Sequence, residues 1–129
     1  MLIVAKEADL RLPGSRTTRF EGEAYGSGIS FFHVDNAPGT GPDAHVHPYS
    51  ETWVVLAGVA HIRTADGETH GEAGDVVVVG PHTPHAFRAV GPQTLRMLCI
   101  HASPQIDQEF LSTERATALA VVFDTESAR

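Results

Sequence analysis

Three residues able to bind a metal stand within one short stretch, Gly39-Thr-Gly-Pro-Asp-Ala-His45-Val-His47-Pro-Tyr-Ser-Glu51-Thr-Trp-Val-Val-Leu-Ala-Gly58. Side chains alternate between faces along an extended segment, so His45 and His47 point the same way and Val46 the opposite way. Glu51 lies past a turn at Pro48-Tyr49-Ser50, where the next strand can fold back and aim its carboxylate at the same point. Two imidazoles and one carboxylate suit Zn, Mn, Fe, Ni or Cu, and such a set with open positions is the arrangement of non-haem iron oxygenases. A fourth nitrogen would have to come from another strand. His85 is the best candidate, because Thr83-Pro84 before it fixes where its strand begins.

The elements that must hold these residues read as short strands. Ile29 to Asp35 is a β-branched and aromatic run, Glu51 to Ala57 and Val59 to Thr64 flank Gly58, and Ala65-Asp66-Gly67 is a strong hairpin signal. A strand near Glu68 to His70 follows, and Val76 to Val79 has the composition of a buried strand. His85 to Val90 and Thr94 to His101 complete the set around Gly91-Pro92. Thr17 to Glu23 is a weaker strand, Leu2-Ile3-Val4 a possible edge strand, and Ala37 to Asp43 is a Pro- and Gly-rich loop. Strands this short at this spacing point to an all-β sandwich or barrel. Only the end differs. Ser103-Pro104 resembles a helix start, and Ile106, Phe110 and Leu111 share one apolar face, which predicts a short helix over residues 104–112. Ala118 to Phe123 is apolar and is expected to pack on the barrel or on a second subunit.

The chain of 129 residues, 42% hydrophobic and 19% charged, fits one soluble domain over residues 1–129. Its 16 acidic against 9 basic residues leave a net charge of −7, and the basic residues are scattered. Nucleic acid and anionic membrane surfaces are therefore not expected partners. The single cysteine, Cys99, rules out an intrachain disulfide and fits a reducing compartment. The N-terminal apolar run lacks the basic region of a signal peptide, and no apolar run is long enough to span a bilayer, so a cytoplasmic protein is expected.

The stretch quoted above resembles the first cupin motif, Gly-x5-His-x-His-x3-Glu-x6-Gly, at every fixed position: Gly39, His45, His47, Glu51 and Gly58. Gly74 to Ala89 is similar to the second, Gly-x5-Pro-x-Gly-x2-His-x3-Asn, at Gly74 and His85. Gly80, His82 and Ala89 stand where proline, glycine and asparagine are usual. The resemblance covers about residues 29–101. It implies a jelly-roll β-barrel with one divalent transition metal ion (Fe, Mn, Ni or Zn) held by His45, His47, Glu51 and His85 inside the barrel mouth. It also implies a homodimer, since small cupins commonly pair their barrels.

The remaining histidines have no ligand spacing. His82 is expected in a solvent-facing loop, His70 beside a turn, and His33, His61 and His101 in strands where each either lines the barrel or faces outward. Trp53 and Val55 share the parity of Glu51 and Phe87 that of His85, so all three should be interior. Cys99 is expected to be a small core residue and Ser103 a helix cap. Two functions follow. One is a metal-dependent enzyme acting on a small molecule, with dioxygenase chemistry ahead of isomerase, epimerase, decarboxylase or lyase chemistry. The other is a pocket that binds or senses a small ligand without chemistry. An enzyme should carry, beside an open pocket, an acid or base within reach of the metal.

Overall fold

The structure, a computed structural model, describes residues 1–123. Among them, ten strands form two five-stranded antiparallel sheets. The chain enters through a short helix α1 (Glu7–Leu10), β1 (Thr18–Phe20), a 3-10 turn (Gly22–Tyr25) and β2 (Ser30–Asn36). It continues through β3 (His45–Val46), β4 (Glu51–Ala57), β5 (Val59–Thr64), β6 (Gly67–Glu72), β7 (Val76–Val79), β8 (His85–Val90), β9 (Leu95–His101), β10 (Glu109–Phe110) and helix α2 (Thr113–Ala118). One sheet has the order β1-β2-β9-β4-β7 and the other β10-β3-β8-β5-β6. The fold is all-β and of jelly-roll type, with only small helices.

Alternation along the strands fills the space between the sheets. Trp53 and Val55 of β4, Leu95, Met97 and Cys99 of β9, Ile62 of β5 and Phe87 of β8 form one buried cluster. Gly58 lets β4 pass directly into β5. Its φ of 79° is one that residues with a Cβ rarely adopt, and a Cβ there would lie 2.5 Å from the Thr94 carbonyl oxygen. Gly39, the other fixed glycine of the motif, also has positive φ, 84°. The core runs up to the polar cluster described below, where Trp53 packs against His85 with ring centroids 5.7 Å apart.

Three expectations need correcting. Residues 104–112 are not a helix. The Ser103 hydroxyl accepts from Gln105 N–H in a turn, Glu109 and Phe110 pair with Val46 and His45, and the C-terminal helix starts only at Thr113. There the Ser112 hydroxyl accepts from Arg115 N–H as the N-cap. Leu2 to Val4 form no strand and are exposed. The valine run of β7 is not buried on both faces: Val79 is 6% exposed, but Val76 and Val78 are 62% and 67% exposed. As an edge strand it is covered on one side only, and the outward parity belongs to Val76 and Val78. The apolar tail takes the first of its two expected courses: Ala116 and Val121 pack against Ala44 and Ala86 of the same chain, so this part of the tail covers its own barrel's second sheet.

Candidate metal centre

Register builds the site from two opposed pairs. In the second sheet His45 of β3 stands directly across from His85 of β8, and in the first Glu51 of β4 stands across from His101 of β9. Directly opposed residues lie close enough for their side chains to meet, and the two sheets bring the pairs face to face. His47 follows β3 and joins them. His45, His47, Glu51 and His85 are all buried and offer one donor atom each, all within 4.8 Å of one another. The sequence reading assembled these four, and the structure brings them together.

Hydrogen bonding leaves the right atoms bare. His45, His85 and His47 each point Nδ1 at a backbone carbonyl, of Asp43 at 2.7 Å, Thr83 at 2.7 Å and Asp107 at 3.1 Å. A carbonyl only accepts, so each ring donates from Nδ1 and keeps a lone pair on Nε2, as second-sphere partners of metal-binding histidines do. Nε2 of His47 and of His85 and Oε1 of Glu51 are buried without a hydrogen-bond partner. Both nitrogens stand close to that oxygen, at 3.1 and 3.2 Å. Lone pairs cannot face one another at such distances without a cation between them. Two donors bound at about 2.1 Å and at right angles to one another would sit about 3.0 Å apart, so the spacing suits a first-row divalent metal.

The electrostatics agree. Burial, with the neighbouring His85 next, lowers the His45 imidazole from 6.5 to about 4, which favours the neutral, metal-binding form. Burial alone would raise the Glu51 carboxyl, but the hydrogen bond it accepts from His101 brings it down, to well below the usual carboxylate range.

His101 is one of three strand histidines, with His33 and His61, whose facing sequence reasoning left undecided. It is 1% exposed, its Nε2 lies 3.1 Å from Glu51 Oε2, and its Nδ1 lies 2.6 Å from the Tyr49 hydroxyl. A signal was present: Arg96 must face outward, which turns Leu95, Met97, Cys99 and His101 inward. Apolar Leu98 and Ile100 on the other face blurred it. The other histidines stand apart. His82 is exposed, as expected, with φ 58° and its N–H donating to the His47 carbonyl at 2.7 Å. His61 stacks on His70 outside the barrel and meets Glu68 at 3.0 Å. His33 lies on the outer face of β2, beside Arg11, Arg16 and Arg96.

Beside the cluster lies a cavity of about 230 Å³. His45, Glu51 and His101 meet it on one side, and Phe32, Val34, Phe87, Cys99 and Phe110 supply apolar walls. Thr17, Asn36 and Gln108 are its uncharged polar groups, and among the described residues no lysine or arginine lines it. Cys99 is both core and wall, and burial pushes its thiol well up, which makes it a poor nucleophile.

Fold and site together define a small jelly-roll barrel with a buried His/Glu cluster that can hold a metal. Residues 32–101, more than half of the chain, match the cupin domain family, and the chain belongs to it. No curated protein matches it in sequence. Among solved structures it is similar to a conserved double-stranded β-helix protein from Klebsiella pneumoniae, at 20% identity and TM-score 0.68 over 88% of this chain and 100% of that one. A cupin 2 domain-containing protein from Halorhodospira halophila is 22% identical, with TM-score 0.70 over 94% of this chain and 87% of that one. An oxalate decarboxylase from Lactobacillus farciminis is 20% identical, with TM-score 0.70 over 93% of this chain but only 40% of the other. At these identities the likeness is one of fold.

Proposed function

We propose that this chain is a one-domain, metal-dependent enzyme acting on a small organic molecule, with one divalent transition metal ion on His45, His47, Glu51 and His85. The observation that carries this is the convergence of three buried, partnerless donor atoms, Nε2 of His47 and His85 and Oε1 of Glu51, beside a cavity. Bound there, the metal supplies Lewis acidity toward a chelating oxygen pair, or dioxygen activation if it is iron. The chain's own part is to bind and orient. His45 and Glu51 hold the metal at the cavity wall, Phe32, Val34 and Phe87 exclude water from an apolar substrate body, and Asn36 and Gln108 offer amides to one polar substituent.

A simple binding pocket, the alternative reading, needs only the cavity. The cavity here also meets two of the four donors, His45 and Glu51, and the imidazole of His101 beside them, which favours an enzyme. Oxygenase chemistry is the preferred class, with isomerase or lyase chemistry next. Oxalate chemistry, carried in the name of the Lactobacillus farciminis neighbour, is disfavoured, because among the described residues no lysine or arginine on the walls meets a second carboxylate. We further propose that the protein works in the cytoplasm as a homodimer. Thr52 and Val54 of β4 stand opposite Val78 and Val76 on the outer face of the first sheet, and with the exposed Leu56 they make an apolar strip suited to a second copy. Among the described residues no helix is long and apolar enough to cross a membrane.

Metal analysis of the purified protein tests the proposal, with His85→Ala alongside. About one iron per chain, lost in the variant, is the expected result; zinc or nickel would shift the reading toward isomerase or lyase chemistry. No metal as purified and none taken up on titration would overturn it.

A further inference from the structure

His101 is not held as the other three histidines are. Each of those donates Nδ1–H to a backbone carbonyl and bares Nε2. His101 instead meets a phenol at Nδ1 and a carboxylate oxygen at Nε2. Bond by bond, the direction of this chain is fixed. Asp107 N–H donates to the Tyr49 oxygen at 3.0 Å, which leaves Tyr49 its own proton to donate. The nearest acceptor is His101 Nδ1, 2.6 Å away. With Nδ1 accepting, a neutral ring carries its proton on Nε2 and donates it to Glu51 Oε2 at 3.1 Å. The opposite tautomer would set an imidazole lone pair against a carboxylate in a site where His101 is 1% and Glu51 4% exposed, a contact with nothing to offset it.

Resting on the metal reading above, we infer that Tyr49 and His101 are positioning residues: through a one-way hydrogen-bond chain they hold Oε2 of Glu51 and present Oε1 alone to the metal. The same chain keeps His101 out of the donor set, because its Nε2 carries a proton where the other three carry a lone pair. Glu51 is thus a single-oxygen ligand, and the coordination position that its second oxygen or a fourth imidazole would fill is left for substrate. Tyr49 also stacks on His47, at 5.2 Å and 13° between ring planes, so it braces two donors together.

Three variants test this: His101→Leu, which removes the donor; His101→Gln, whose amide N–H can still reach Oε2; and Tyr49→Phe, which removes one hydroxyl and keeps the stacking. Each is checked for folding by circular dichroism, loaded with Co(II) and titrated against a chelator, and the visible absorption bands report the number and type of ligands. Wild type should bind one Co(II) per chain. His101→Leu should weaken binding about 10- to 100-fold, while His101→Gln stays within a few-fold of wild type with an unchanged spectrum. Tyr49→Phe should weaken binding when His101 is present and much less in the His101→Gln background, because glutamine needs no tautomer set for it. If Leu and Gln weaken binding alike, with spectra showing a lost nitrogen ligand, His101 is a ligand and the inference falls. Unchanged affinity in all three variants also overturns it. Failure of wild type to bind Co(II) is a separate result, which overturns the metal reading itself. Should His101→Leu fail to fold, the Tyr49→Phe comparison in the two backgrounds decides alone.

Discussion

Stripping the protein of metal with a chelator and lowering the pH from about 7 to about 5 should cost the fold about 2 kcal/mol through His45 alone. Its imidazole is buried, faces His85, and titrates near 4 in the folded protein instead of at 6.5. Between those two values the unfolded chain takes up a proton that the folded chain refuses. The unfolded state binds more protons in this window, so stability is full above pH 6.5 and falls as pH drops. Carried to about pH 4 the loss reaches about 3 kcal/mol. Glu51 does not mask this. Its folded carboxyl is depressed, so its contribution is lost only at more acid pH, below the unfolded carboxylate value. Urea unfolding followed by the fluorescence of Trp53, the chain's one tryptophan and fully buried, measures the effect at each pH. His45→Gln is the control, each protein being referred to its own value near pH 7. The variant should lose about 2 kcal/mol less than wild type over that range. Parallel losses in the two proteins would refute the claim that a buried, neutral His45 is the cause.

Other consequences are more local. Helix α2 ends in a turn in which Ala120, at φ 60°, lets its own N–H reach Thr117 O and that of Val121 reach Ala116 O. Glycine relieves that conformation, so Ala120→Gly should raise stability by about 0.5–1 kcal/mol in urea unfolding, and a loss would contradict the assignment. Gly58→Ala should lose about 3 kcal/mol, from the left-handed backbone and the clash with Thr94 O. An effect within about 0.5 kcal/mol would mean that the β4–β5 junction is slack. Sedimentation should find wild type as a dimer and Val78→Lys as a folded monomer; an unchanged dimer would move the interface off the outer face of the first sheet.

Much of the site was legible because strand parity and motif spacing are local. Alternation in Glu51-Thr-Trp53-Val-Val55 put the carboxylate and the core on one face, and Asp66-Gly67 marked the hairpin between β5 and β6. Pairing between distant segments was not legible. Ile106, Phe110 and Leu111 have helical spacing, but Phe110 is drawn into a bridge with His45, and tertiary hydrogen bonding outweighs a weak propensity. His101 escaped because its strand is apolar on both faces, so alternation alone gave it no side. The valines of β7 looked buried because composition reports β-propensity, whereas burial depends on whether another layer covers the strand.

Residues 106–108 carry a consequence for how an ion would be kept in the proposed metal site. Asp107 accepts from His47 and donates to Tyr49, Ile106 N–H is tied to Glu21 at 2.8 Å, and Gln108 is part of the cavity wall. One short piece of backbone therefore anchors a histidine of the proposed metal site and reaches the cavity wall. A ligand that steadies Gln108 steadies the anchor of His47, and the coupling is reciprocal: metal strengthens ligand binding by the same factor by which ligand strengthens metal binding. On the proposed reading, retention of the ion would report occupancy of the cavity, and the metal would leave most readily when the cavity is empty.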